Sequence, residues 1–209
     1  MIPKIIHTVW ASNDPFKEKF YAWRKTWMEH NPDYSFMFWT PANMPLEQFS
    51  ALAQLIVKGN NHYCWKSDVA RYELVRIFGG IYVDTDFECL KNFDPLLNES
   101  SFAGEPWMDY CECSIFAAEK NNPIIGFTGE AVAHQIMHHP ASYKSSEAIR
   151  ISGECLLHCE KIYPRHYFYP DFWNKEIVAQ KQVPFDKNEV YAVHHWSGFD
   201  NDGWTRDGV

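Results

Sequence analysis

The chain has 209 residues, 46% hydrophobic and 17% aromatic, which fits one folded domain and excludes a disordered segment. Its formal net charge of −8 disfavours a general electrostatic grip on nucleic acid or an anionic membrane, while leaving room for a local basic cleft. No apolar run approaches the roughly 20 residues that span a bilayer, and the start does not read as a signal peptide, so the expected location is cytoplasmic.

Taken in chain order, "KIIHTVW" (4–10) reads as a first, β-branched strand. Asp14 and Pro15 then form a plausible cap and first position of a helix, with Phe16, Phe20, Trp23 and Trp27 recurring at helical spacing until Asn31-Pro32. "YSFMFW" (34–39) is a second strand. Residues 45–58 and 62–78 are helices, ended by Gly59 and by Gly79-Gly80. "IYVD" (81–84) is a short buried strand and "ECSIFAAE" (112–119) a later one. Residues 123–138 and 145–161 read as helices, and "HYFYP" and "VYAVHHW" as strands. Strands alternating with helices predict a single α/β domain over 1–209 with a mainly parallel sheet. In such a sheet a ligand sits beyond the carboxyl ends of the strands.

Six cysteines are present: Cys64, Cys89, Cys111, Cys113, Cys155 and Cys159. Cys111-x-Cys113 and Cys155-x-x-x-Cys159 lack the usual spacing of structural zinc knuckles, and free thiols are expected. Nine Trp and eleven Tyr suit either an aromatic core or a cleft lined with stacking platforms.

The strand "IYVD" runs into two aspartates, Asp84 and Asp86. In extended backbone, positions i and i+2 share a face, so two carboxylates stand together at a strand end. Like charges so close call for a cation. A hard divalent ion such as Mn²⁺ or Mg²⁺ takes one or two carboxylates and leaves its other positions to water and substrate phosphate. On the preceding helix, Asp68 and Arg71 are three residues apart and face one way. Joined to the strand by only two glycines, that helix is expected to aim both over the same strand end.

The order "IPKIIHTVW", "WRKTWMEHNPDYSFMFW" and "SDVARYELVRIFGGIYVDTDFECLKNFDPLL" resembles the DXD-containing sugar transferases of glycosyltransferase family 32. That family includes capsular-sugar transferases and fungal mannosyltransferases, with the large glucosylating bacterial toxins more distant. The match is long and specific over 67–97, extends to the start and to "AVHHW", and is loose over 98–190. The resemblance implies a GT-A type, Rossmann-like nucleotide-sugar-binding domain. It further implies transfer of a hexose, from a UDP-sugar by preference, to a hydroxyl acceptor, with retention at the anomeric carbon.

Carried over, Asp68, Arg71 and Asp84 are the catalytic candidates. Val9, Trp10, Asp68, Arg71, Tyr72, Asp84, Thr85 and Asp86 are the donor-binding set, with Trp10 stacking on the base. Asp84, Asp86 and His194 are the metal set. Strand alternation lets only one of His194 and His195 face that metal. Many relatives carry Thr-Gly-Pro ahead of a late helix, where this chain has Ser152-Gly153-Glu154. Glu154 and Trp196 are the acceptor candidates. The loop after "AVHHW", bounded by Trp196 and Trp204, is expected to fold over the donor.

Two other readings compete. A haloacid-dehalogenase-type phosphatase also uses Asp-x-Asp after a strand, but near the chain start and with Thr or Val two residues past the second Asp, where Glu88 stands here. A non-catalytic sugar-nucleotide-binding module would not need the full set Asp68, Arg71, Asp84, Asp86 and His194.

Overall fold

In the computed structural model, residues 1–107, 110–138, 147–170 and 186–196 are described. The elements are β1 (Ile5–Val9), α1 (Glu18–His30), β2 (Ser35–Trp39), α2 (Ala51–Lys58), α3 (Tyr63–Phe78), β3 (Gly80–Val83) and β4 (Phe87–Cys89). Then come β5 (Ser101–Trp107), β6 (Tyr110–Ala118), α4 (Pro123–His138), α5 (Glu147–Leu156), β7 (Lys161–Tyr163) and β8 (Ala192–His194). Six strands form one sheet in the order β2-β1-β3-β6-β5-β7. The pairings β1–β2, β1–β3 and β5–β7 are parallel, while β3–β6 and β5–β6 are antiparallel. The domain is therefore α/β with a mainly parallel sheet, as the alternation predicts. A two-stranded antiparallel ribbon, β4–β8, stands apart from it.

Alternation sorts the core onto the two faces of the sheet. Tyr82, Phe116 and Ala118 join Val69, Leu74 and Val75 of α3 and Ile125 and Val132 of α4 in one cluster. Ile81, Val83, Ile115 and Ala117 join Trp27 of α1, Phe87, Phe93, Phe168 and Tyr169 in the other. Helix α3 ends where Gly79 takes φ +67°, and Gly80 follows at +103°, a region that favours glycine. This tight hinge drops the chain directly into β3.

Several local expectations are corrected. Helix α1 begins at Glu18, not at Asp14-Pro15. Asp14 is used in a turn with Ser12, and its carbonyl accepts from Trp10 Nε1 at 2.8 Å. The 45–58 segment breaks at Phe49, which is extended, into a 3₁₀ turn (Leu46–Gln48) and α2, capped by Ser50. The expected helix over 145–161 is α5 followed by turns and by β7. "HYFYP" is not a strand. Arg165–Tyr167 is a 3₁₀ turn and Phe168 and Tyr169 plug the core. In "VYAVHHW" only Ala192–His194 is strand. The sequence reading missed β5, because Gly104 and Pro106 inside "SFAGEPW" argue against a strand there.

Candidate active site

The site is built where β3 ends. Asp84 leaves the strand with its backbone N–H donated to Ser114 O at 2.9 Å, which fixes the turn 84–86 against β6. Tyr82, two residues earlier and on the same side, donates its hydroxyl to Asp84 Oδ1 at 2.5 Å. Arg71 reaches the same carboxylate at 3.4 Å. Arg71 is 5% exposed, and its guanidinium is engaged on several sides. Nη2 donates to Asp68 Oδ1 at 2.5 Å, Nη1 to Cys113 O at 2.8 Å, and the group lies 4.8 Å from the centre of the Tyr82 ring. Helix α3 thus does aim Asp68 and Arg71 over the strand end. Arg71 serves there as a buried strut rather than a free fork of donors. Arg71 stays charged, because the Asp84 and Asp68 carboxylates outweigh the cost of burying it.

Asp86, the second carboxylate, faces β8. His194 Nε2 stands 3.1 Å from Asp86 Oδ1, and both side chains are buried. His194 stacks on Phe87 with ring centroids 4.5 Å apart and planes at 4°. Trp196 closes over it at 4.0 Å, from a backbone φ of +51° that a bulky side chain rarely adopts. His195 turns the other way. It meets Glu88 at 3.0 Å and stacks on Trp23 at 4.3 Å. The β8 phase is therefore the expected one.

Electrostatics mark the cluster as cation-seeking. Burial pushes the Asp84 carboxyl up, Arg71 pulls it back down, and Asp86 pushes it up again. Burial would depress the His194 imidazole, but the adjacent Asp86 carboxylate holds it above its ordinary value.

Asp84, Asp86 and His194 each offer one ligand atom, and the three lie within 4.8 Å of one another. Among the described residues they are the one such group of three or more. Among the described residues, His194 Nδ1 is buried without a hydrogen-bond partner. Two carboxylates and an imidazole are a fitting donor set for Mn²⁺, with Mg²⁺ served by the carboxylates alone.

The remaining candidates are placed less directly. Val9 and Trp10 end β1, at the carboxyl edge of the sheet. The Trp10 ring is 8% exposed and edge-packed on Phe16 and Phe20. Tyr72 is enclosed, stacked on Phe116, with its hydroxyl on Ser152 Oγ. This burial offers no face to a donor. Thr85 sits half-buried in the turn between the two aspartates. Ser152-Gly153-Glu154 lies inside α5, not ahead of it, and Glu154 points to solvent in an ion pair with Arg150. Residues 197–209, including Trp204, fall outside the described residues.

Sequence reasoning missed Tyr82, Cys113 and Tyr169. Tyr82 was within reach, since period-two alternation puts it beside Asp84. Cys113 was not, because it acts through its backbone carbonyl. No disulfide joins any of the six cysteines, and burial pushes the Cys89 and Cys159 thiols up to about 12.

Comparison with known proteins agrees with this geometry. Residues 17–103 match the family described as the glycosyltransferase sugar-binding region containing a DXD motif. Inositol phosphoceramide mannosyltransferase 3 of Schizosaccharomyces pombe is 34% identical over 100 residues, 46% of this chain, which spans 28% of that relative's length. Among solved structures, the PaToxG glycosyltransferase superposes with a TM-score of 0.60 at 18% identity, covering 74% of this chain and 68% of the other. The UDP-bound glycosyltransferase domain of the YGT toxin does so with 0.52 at 12%, covering 69% and 64%. At those identities the structural likeness speaks for the fold, which is that of GT-A glycosyltransferase domains. Asp84-Thr85-Asp86 is the one D-x-D in the matched segment, so the two aspartates at the end of β3 fall within the part of this chain that is similar to the DXD-containing glycosyltransferase sugar-binding region.

Proposed function

We propose that this chain, as one domain, is a divalent-metal-dependent retaining hexosyltransferase that takes its sugar from a UDP-hexose and passes it to a hydroxyl acceptor. The observation that carries this is the convergence of Asp84, Asp86 and His194 at the carboxyl end of β3, with the two aspartates inside the segment that matches a sugar-binding family. Asp84, Asp86 and His194 would hold the cation, which supplies Lewis-acid neutralisation of the departing diphosphate. Arg71 favours the charged form of Asp84, against its burial, and orients it. Asp68 is held by Arg71 with its side chain 16% exposed, and it is assigned to a sugar hydroxyl of the donor. The base is assigned to the end of β1, beside Val9 and Trp10. Stacking on Trp10 requires the 11–17 segment to move aside. Attack by the acceptor on the face from which the diphosphate leaves gives retention without a carboxylate nucleophile.

The name of the fungal relative makes a glycolipid hydroxyl one acceptor to test, beside free saccharides. Six cysteines with no disulfide among them suit a cytoplasmic, reducing location. Among the described residues no helix is long and apolar enough to cross a membrane. A panel of UDP-, GDP- and ADP-hexoses with Mn²⁺, read by nucleoside diphosphate release, tests the donor. Slow hydrolysis of one UDP-hexose is expected. Preference for a GDP-sugar would replace the donor assignment, and release from none would remove the transferase reading.

A further inference from the structure

The imidazole of His194 is held in an unusual way for a metal ligand. Such a histidine normally fixes its orientation by donating its second ring nitrogen to a carboxylate or carbonyl. Here Nδ1 has no partner among the described residues, so the ring is set by the Asp86 contact at Nε2 and by packing. The packing comes from the 165–169 segment and from an irregularity in the sheet.

Between β5 and β6 the register jumps from Ala103 opposite Phe116 to Gly104 opposite Glu112. The 113–115 stretch of β6 is thereby left without a partner on β5. Within it, Cys113 O accepts from Arg71, while Ser114 O accepts from the Asp84 amide on the β3 side. The rings of Phe168 and Tyr169 fill the notch that results. A Cβ at Gly104 would stand 2.6 Å from Phe168 and 2.9 Å from Tyr169, so only glycine admits both. Tyr169 is fully buried, and its hydroxyl is 3.0 Å from Ser114 Oγ. Its ring then meets Phe87, His194 and Trp196, with centroids 5.8, 5.9 and 5.9 Å away. Phe168 contributes its carbonyl, which accepts from the His194 amide at 3.2 Å.

We propose that Tyr169 is a positioning residue for His194. Anchored through its hydroxyl to Ser114, beside the backbone that holds Asp84, it presses the imidazole toward Asp86. The cation affinity of the cluster thus depends on a tyrosine that ligates nothing. The proposal rests on reading Asp84, Asp86 and His194 as a cation site.

Mn²⁺ titration of the nucleotide-free protein tests it, with folding followed by circular dichroism. Tyr169→Phe and Ser114→Ala each break the same link, one by removing a hydroxyl from the ring and the other from the strand. Each is expected to weaken Mn²⁺ binding roughly tenfold, and the double variant no further than the worse single. If one variant fails to fold, the other still reports. A lowered melting temperature with wild-type Mn²⁺ affinity in the folded variants would reduce Tyr169 to core packing and overturn the proposal, as would additive losses in the double. His194→Ala separates the two claims. If it weakens Mn²⁺ binding while Tyr169→Phe does not, the positioning role alone is wrong. If it binds Mn²⁺ like wild type, the cation site itself falls and the proposal with it.

Discussion

Arg71 is the residue on which the local electrostatics turn. It is buried against two carboxylates, a backbone carbonyl and an aromatic face, and each of these is satisfied by it. Removing one partner from such a set leaves uncompensated charge, and the loss exceeds what the pair contributes when intact. Arg71→Ala should therefore destabilise the fold by about 3 kcal/mol in urea denaturation. Arg71→Lys should recover little, because a single ammonium cannot reach Asp68, Asp84 and Cys113 O together. A variant as stable as wild type would show that the pair is solvated in solution.

Trp10 carries a separate prediction at the same scale. Trp10→Ala should weaken UDP binding roughly three- to tenfold, the range expected from losing one aromatic stack. Unchanged UDP affinity by calorimetry would move the base away from β1. The residues that hold the site were legible in the sequence where they act through charged side chains at fixed spacing, as Asp68, Arg71, Asp84 and Asp86 do. His194 was legible through the resemblance, and strand phase then told it from His195. What escaped were groups whose contribution depends on long-range contact, such as Cys113 through its carbonyl and Tyr169 from 83 residues beyond Asp86.

At the scale of elements, the close approach of α5 to β6 is the feature that local pattern could not show. The Ser152-Gly153-Glu154 stretch looked like a departure ahead of a helix, and it lies within one. Gly153 is where that helix touches the sheet. A Cβ there would stand 2.5 Å from Cys111 O and 2.5 Å from the Tyr110 ring. Ser152 meanwhile bonds the Tyr72 hydroxyl across the interface. Gly153→Ala should therefore cost about 1–3 kcal/mol by overpacking, despite the better helix propensity of alanine. A rise in melting temperature would show that α5 can shift outward freely. Alternation and periodicity revealed α3, α4 and β1 to β3, whose buried faces are regular. They failed at β5, at β4 and at 165–169, where Gly, Pro and aromatic residues are placed by tertiary contact.

Across the whole molecule, His7 ties the sheet to the hinge that leads into the site. It sits in β1, is fully buried, accepts from Trp39 Nε1 of β2 at 3.0 Å through Nδ1, and therefore donates from Nε2 to Gly79 O at 2.8 Å. The bond accepted from Trp39 needs the neutral ring. Burial lowers its pKa to about 4, only partly offset by the Gly79 carbonyl. The unfolded chain binds this proton below about pH 6.5, whereas the folded protein resists until about 4. His7 therefore costs nothing above that window. As pH falls through it, the unfolded state is favoured progressively, by up to about 3 kcal/mol at pH 4. Urea denaturation at pH 7 and pH 5 should show this loss, and His7→Gln should flatten part of it. An unchanged pH slope in that variant would place the proton sensitivity elsewhere.

The central claim is that the two aspartates at the end of β3 and the histidine of β8 bind a divalent cation that donor turnover requires. The direct measurement is nucleoside diphosphate release from UDP-hexose as Mn²⁺ is titrated, in wild type and in Asp86→Asn, with folding confirmed by circular dichroism. Wild type should be silent in excess EDTA and rise with Mn²⁺. Asp86→Asn should stay folded and fall at least a hundredfold at saturating donor, on the scale expected for losing a group that stabilises a transition state. Full turnover in EDTA, or in Asp86→Asn, would contradict the account.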